Sequence, residues 1–349
     1  MLFYDNTTVA RIDEFDYHLP EDLIAQTPLP DRSASRMLVL YRAEKRWEDR
    51  AFSELPRFLH PGDCLILNDS KVFPSRLLGT RASGTAAIEV FLLRPLSPDQ
   101  LAWEALVRPG RKAPLGERLQ FEGELSAEIV SRGDHGQRTL RFSGSPNVSR
   151  NIMETLWRIG HVPLPPYIRR RDTLEDRARY QTVYAEAEGS VAAPTAGLHF
   201  TDEMLSRCRD AGAAIATVTL HVGLGTFQPL HGETLDEVDL HSERYSVSPG
   251  SITLIQNAQR RIAVGTTSVR AIESAARYHA LAGETKLFLS PGDRFYLTDA
   301  LLTNFHLPRS SLLILVSAFA GTEFALAAYR HAVSQRYRFY SYGDCMLIV

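Results

Sequence analysis

Apolar positions along this chain follow two different rhythms. Before about residue 62 and after residue 146, short apolar runs alternate with stretches of helical spacing. Met37 to Tyr41, Cys64-Leu65-Ile66-Leu67, Ala213 to Val222 and Arg261-Ile262-Ala263-Val264 read as strands. Phe52 to Phe58 reads as a short helix, and Ala271, Ile272, Ala275 and Ala276 share one face of another. Leu287-Phe288-Leu289 and Phe295-Tyr296-Leu297 read as short strands, followed by Leu301-Leu302-Thr303 and two apolar helices from about Ser311 to Gln335. Between Gly62 and Pro146 the rhythm changes. Arg76 to Leu78, Ala87 to Leu93, Leu101 to Val107, Arg118 to Phe121, Ala127 to Val130 and Arg138 to Phe142 are short, β-rich and punctuated by glycine or proline. That spacing predicts a small antiparallel barrel or sandwich. The expected organisation is a main α/β domain over 1–61 and 147–349, with a β-rich domain inserted at 62–146.

The polar positions that break this pattern gather in turns. Gly189-Ser190-Val191-Ala192-Ala193-Pro194-Thr195-Ala196-Gly197-Leu198-His199-Phe200-Thr201 is rich in small residues, so its backbone can approach a ligand closely. Pro194 and Gly197 disfavour a continuous helix or central strand. Thr195 and His199 are its reactive side chains. Thr201 is placed to cap a helix whose first turn holds Asp202 and Glu203 and which Gly212 ends. The same design recurs at Gly265 to Arg270 and at Asn304 to Ser311: a strand, a turn of Gly, Thr, Ser, Asn or His, then a helix. Any one such turn is explained by capping chemistry alone. Three of them, in an α/β chain whose ligands bind at strand ends, point to a shared site.

Charge and cysteine content narrow the chemistry. The 349 residues carry 39 Lys and Arg against 41 Asp and Glu, so no global basic field announces nucleic acid, and RNA contact has to use local patches. Such patches occur at Arg108-Pro109-Gly110-Arg111-Lys112, at Tyr167 to Arg171 and from Tyr329 to Tyr342. Cys64, Cys208 and Cys345 are far apart, which disfavours a disulfide framework, a cysteine-rich zinc site and an iron–sulfur cluster, and suits a reducing cytoplasm. No apolar run reaches membrane-spanning length. His221, His231 and His241 recur near Glu243, but this is not the spacing of a metal-ligand pair, and no metal is expected. Gly223-Leu224-Gly225 lacks the third glycine and the helix of a dinucleotide loop. GxxxxGK[ST] and GxSxG motifs are absent.

The chain resembles the S-adenosylmethionine:tRNA ribosyltransferase-isomerase family of queuosine synthesis over nearly its whole length. The resemblance is carried by Phe15-Asp16-Tyr17-His18-Leu19-Pro20, Leu65 to Ser70 with Arg76, Tyr180-Gln181-Thr182-Val183-Tyr184, Ala192 to Thr201, His221 to Phe227, Val264 to Arg270, Leu302 to Pro308 and Tyr340 to Asp344. It implies an α/β fold, with a barrel-like main domain and an inserted small antiparallel β-barrel domain. It implies transfer and isomerisation of the ribosyl part of S-adenosylmethionine onto 7-aminomethyl-7-deazaguanine at the tRNA wobble position. The product would be epoxyqueuosine, with adenine and methionine released. S-adenosylmethionine is then a cosubstrate and no prosthetic group is needed; the partner is tRNA carrying the precursor base, and the protein is expected as a cytoplasmic monomer without a membrane or a metal.

A base must remove the ribose 5′ proton that the sulfonium acidifies, and His199, His221 and His306 are the candidates. One of them, or Glu243, would assist the departing adenine. Thr195, Thr267, Ser268 and Asn304 are expected on ribose hydroxyls or the methionine ends, with Gly197, Gly223 and Thr226 in the same substrate-binding turns. Arg270 suits the methionine carboxylate or a phosphate. Arg108, Arg111, Lys112, Arg169, Arg170 and Arg171 are expected on tRNA phosphates. Two rivals are a non-catalytic tRNA-binding module of the same fold and an S-adenosylmethionine-dependent methyltransferase. The reactive turns argue against the first, and the missing glycine-rich loop against the second.

Overall fold

The computed structural model describes residues 10–133, 136–146, 152–223, 230 and 232–349. Its strands are β1 (Arg36–Tyr41), β2 (Arg46–Ala51), β3 (Asp63–Asn68), β4 (Ser70–Val72), β5 (Arg76–Arg81), β6 (Ala87–Pro95), β7 (Ala102–Arg108), β8 (Arg118–Phe121) and β9 (Ser126–Arg132). They continue as β10 (Gln137–Ser143), β11 (Ala187–Ser190), β12 (Ala214–Leu220), β13 (Glu243–Val247), β14 (Arg260–Val264), β15 (Ala282–Thr285), β16 (Ala300–Asn304) and β17 (Cys345–Ile348). Nine of them form one sheet in the order β15-β13-β12-β3-β14-β16-β17-β1-β2, and β4 pairs with β11 beside it.

Strand β3 shows why this sheet has a core on each face. Every residue from Asp63 to Asn68 is buried. Side chains alternate across a strand, so Cys64 and Ile66 enter one hydrophobic core while Leu65 and Leu67 enter the other. Leu38 and Leu40 of β1 join the first core, Met37 and Val39 the second. A strand buried on both sides reads as a continuous apolar run, which is how the sequence presents it.

The inserted β-rich segment closes into a barrel of order β10-β7-β6-β5-β8-β9, all neighbours antiparallel. Along β7 buried and part-exposed positions alternate, so Trp103, Ala105 and Val107 fill the interior. The helix Ile152–Ile159 packs Ile152 and Leu156 into that same core. The fold is therefore α/β with an inserted antiparallel barrel.

Some expectations need correction. The insertion was expected to begin at residue 62, but β3 lies between β12 and β14 in the large sheet, so the barrel begins only at β5. Leu287 to Leu289 and Phe295 to Leu297 form no strand; the strand in this region is β15. For the second stretch the reason is a buried carboxylate. Glu273 accepts the N–H groups of Tyr296 and Leu297 and the hydroxyl of Thr298, at 2.8, 2.9 and 2.8 Å, so these groups need no partner strand. No single helix among the described residues is long and apolar enough to cross a membrane.

Candidate active site at the strand-end edge

Strands β12, β3, β14 and β16 pair parallel to one another, so their C-terminal ends reach one edge of the sheet. Strand β17 runs antiparallel to β16, which brings the residues just before it, Tyr340 to Asp344, to the same edge. A cavity of about 580 Å³ opens there. Its wall includes Thr195, the turn Gly265-Thr266-Thr267, Asn304, His306 and Tyr340, with Arg11, Asp13, Glu233 and Arg309 also around it. The volume suits a small-molecule ligand.

Each wall residue is held by local chemistry. Gly265 has φ +87°, a conformation that a side chain would strain, and it starts the helix Thr266–Tyr278 directly after β14. The Thr267 hydroxyl is buried and has no hydrogen-bond partner among the described residues. His306 is anchored on three sides: Nε2 lies 2.8 Å from the Thr303 hydroxyl, its N–H donates to the Tyr329 hydroxyl at 3.1 Å, and its carbonyl accepts from the Tyr17 hydroxyl at 2.5 Å. Burial pushes its pKa down to about 3, so the ring is neutral at physiological pH. Nδ1 makes no hydrogen bond among the described residues. Tyr340 has φ +72°, rare for an aromatic residue, and its ring packs on that of Tyr167 with centroids 4.3 Å apart. Its buried hydroxyl likewise has no partner among the described residues.

His199 lies behind this wall. Its Nδ1 is 2.8 Å from the Ser35 hydroxyl and its Nε2 3.0 Å from Asn304 Oδ1. Asn304 Nδ2 then donates to the Tyr340 carbonyl at 2.8 Å. An amide oxygen only accepts, so His199 carries its proton on Nε2 and Ser35 donates to Nδ1. Burial lowers the His199 pKa to about 4, and both ring nitrogens are occupied. His221 is also off the cavity. Its ring faces Gly189, where a Cβ would stand 3.4 Å away, and its Nδ1 is buried without a partner among the described residues. Burial, aided by the Arg244 charge, lowers its pKa to about 4.

Glu243 and Arg270 form a buried ion pair. Glu243 accepts the Gly223 N–H at 2.9 Å and Arg270 donates to the Leu287 carbonyl at 3.1 Å, so the pair fixes the chain around Gly223, and neither side chain lines the main cavity. Ser268 donates to the Val264 carbonyl at 2.7 Å. Gly197 sits under Tyr184, whose hydroxyl would lie 2.0 Å from any Cβ added there. Of the expected substrate contacts, the structure thus brings Thr195, Thr267, Asn304 and His306 to one cavity and leaves His199, His221, Glu243, Arg270, Ser268 and Gly197 outside it. Thr226 and His231 lie outside the described residues. No three His, Cys, Asp or Glu side chains gather as a metal-ligand set among the described residues.

The family described as "Queuosine biosynthesis protein" matches residues 12–348. The chain belongs to this family. It is 60% identical to an S-adenosylmethionine:tRNA ribosyltransferase-isomerase of Solibacter usitatus, with 97% of this chain and all of that one covered. It is 51% identical to one from Moorella thermoacetica, again over 97% of this chain and all of the relative. The crystal structure of an S-adenosylmethionine tRNA ribosyltransferase from Thermotoga maritima, 38% identical, covers 96% of this chain and all of its own, with a TM-score of 0.54.

In this member of the queuosine biosynthesis family the basic residues divide sharply. Arg108, Arg111 and Lys112 sit at the end of β7 and in the turn after it, and Arg171 is exposed; none of the four has an ion pair among the described residues. Arg169 pairs with Glu21 at 3.0 Å on the surface. Arg170 makes a bidentate contact to Asp176 at 2.6 and 2.7 Å and donates to the Gln26 carbonyl, so it ties two segments together. Arg11, Asp13, Glu233 and the Tyr167–Tyr340 pair join the cavity without being marked by any of the three turns. Of these, Tyr340 carries a sequence signal, because it opens the Tyr340 to Asp344 motif.

Proposed function

We propose that this chain transfers and isomerises the ribosyl moiety of S-adenosylmethionine onto 7-aminomethyl-7-deazaguanine at the wobble position of tRNA, giving epoxyqueuosine-tRNA and releasing adenine and methionine. One observation carries this reading. In a chain that matches ribosyltransferase-isomerases end to end, reactive residues from three separate turns wall a single cavity of about 580 Å³.

His306 is the base that takes the ribose 5′ proton. It is the only one of the three candidate histidines lining the cavity, and its Nδ1 is unoccupied among the described residues. Thr195 and Thr267 contact the ribose or the methionine end, and Asn304, its amide taken up by His199 and the Tyr340 carbonyl, holds the wall in place. His199 is a positioning residue acting through Asn304. Arg108, Arg111, Lys112 and Arg171 contact tRNA phosphates. S-adenosylmethionine is the cosubstrate, no metal or prosthetic group enters the scheme, and the protein works as a cytoplasmic monomer.

The deciding experiment is product analysis with purified protein, S-adenosylmethionine and tRNA bearing 7-aminomethyl-7-deazaguanine. The expected result is free adenine and methionine in step with a ribosyl-derived mass gain on the modified base. S-adenosylhomocysteine with a methyl mass gain would instead assign a methyltransferase. Tight tRNA binding without turnover would assign a binding module.

A further inference from the structure

The three strand–turn–helix segments differ in one respect. Thr201 caps the helix Asp202–Asp210 by accepting the Met204 N–H at 3.1 Å, and Ser310 caps Ser311–Ala320 by accepting from Leu313 at 3.2 Å. The 13-residue helix Thr266–Tyr278 has glycine at its cap position and no side-chain cap. The first N–H groups of a helix have no partner inside it, and together with the aligned peptide dipoles they attract negative charge. Here they open on the cavity that Gly265, Thr266 and Thr267 line. A second, independent observation sits beside them. Thr267 is 8% exposed, lines the same cavity, and its hydroxyl has no partner among the described residues. A buried hydroxyl without a partner costs free energy, and a ligand oxygen would satisfy it. A Cβ placed on Gly265 would lie 3.4 Å from that hydroxyl and 3.6 Å from Ala196 Cβ, so the glycine leaves open a cradle the size of a small group.

We infer that this cradle binds the carboxylate of the α-amino-acid end of S-adenosylmethionine, through the N–H groups opening the helix and the Thr267 hydroxyl. The inference rests on the cavity being the cosubstrate site. Charge favours a carboxylate over a tRNA phosphate. The arginines lining the cavity are already paired, Arg11 with Asp13 and Glu233 at 3.2 and 3.5 Å, and Arg309 with Asp16 at 2.8 Å. A phosphodiester would enter a site with no unpaired cation among the described residues. An α-amino acid brings its own ammonium group, so its carboxylate needs only neutral donors.

The test is calorimetric binding of two ligands to three proteins. The ligands are S-adenosylmethionine and its decarboxylated analogue, which keeps the sulfonium and the nucleoside. The proteins are wild type, Thr267→Val and Thr267→Ser, each checked for an unchanged melting curve. Wild type is expected to bind S-adenosylmethionine about tenfold or more tightly than the analogue. Thr267→Val should weaken S-adenosylmethionine about tenfold and the analogue less than twofold, and Thr267→Ser should restore the difference. Equal affinity of the two ligands for wild type would overturn the inference while leaving the cosubstrate reading intact. So would equal weakening of both ligands by Thr267→Val. In a parallel titration with tRNA, binding weakened by Thr267→Val while both small ligands are unaffected would overturn the inference and reassign the cradle to a phosphate. If neither ligand binds wild type, the cosubstrate reading of the cavity falls, and this inference with it.

Discussion

Two polar regions share one edge of the large sheet, and they differ in what their hydrogen bonds leave over. Running back from the cavity wall, Asn304, His199 and Ser35 form a chain in which both imidazole nitrogens and both amide atoms have partners, tied to the Tyr340 carbonyl. On the cavity side, the Thr267 and Tyr340 hydroxyls are buried without partners among the described residues. The residue types are alike on both sides. A saturated network has nothing left to offer a ligand and serves to hold the wall in place. An unsatisfied one carries a penalty that a ligand can remove. Partner status, more than residue type, separates scaffold from site here.

The most demanding way to break this comparison is His306→Gln. Glutamine can keep the bond to Thr303, so stability should change little while turnover falls about 10²–10⁴-fold, the usual range for a general base. Turnover within threefold of wild type in a single-turnover assay would remove His306 from the reaction.

Glu243→Gln probes the buried pair and should act on folding. It leaves the Arg270 charge buried without its carboxylate, at a cost of about 3–5 kcal/mol. Replacing both residues by methionine should recover most of that loss, read from urea unfolding. A Glu243→Gln protein of normal stability and abolished turnover would instead return Glu243 to the chemistry.

His199→Gln sharpens the contrast with His306. We expect a stability loss of about 1–3 kcal/mol and a lower kcat, with the pH profile of the remaining activity unchanged, because the ring positions Asn304 and moves no proton. A shifted pH profile would make His199 a participant.

Stability itself should depend on pH. Folded His199 and His306 hold their pKa values near 4 and 3, below the ordinary 6.5. As pH falls below about 6.5 the unfolded chain takes up these protons first, so stability present above that value is lost toward pH 4. Each ring contributes at most about 1.4 kcal/mol per pH unit, and His199→Gln should remove one share of that slope in melts between pH 7.5 and 5.

The smallest effects belong to the surface. Alanine at Arg108, Arg111, Lys112 or Arg171 should weaken tRNA binding modestly and lower the salt slope by about one each. Arg170→Ala should reduce stability instead, because its guanidinium is committed to Asp176. A salt slope unchanged in the first four would move the tRNA surface elsewhere.

Much of the fold was legible because burial writes itself into apolar runs. β3 and the six barrel strands could all be read from the sequence alone. β2 was hidden. Arg46-Trp47-Glu48-Asp49-Arg50-Ala51 is an edge strand whose side chains are mostly solvated, so nothing in its composition marks it. The turns of the site were legible, but their division of labour was not. His199 and His306 stand in similar settings along the chain, and what silences His199 is Ser35, 164 residues away. Only the fold brings that hydroxyl to the ring.

The placement of β17 carries a consequence for how the protein is made. Cys345–Ile348 lies between β16 and β1, pairing antiparallel with the first and parallel with the second, and the Val349 N–H donates to the Leu40 carbonyl at 2.9 Å. Until residue 348 has left the ribosome, β1 and β2 have no seam to join and Tyr340 has no fixed wall to stand in. Contacts spanning some three hundred residues form slowly. The barrel, by contrast, is built from consecutive segments that are complete early in synthesis. During translation every barrel strand is therefore present while the large sheet still lacks its seam, and that unzipped sheet is the surface a chaperone or a protease would meet.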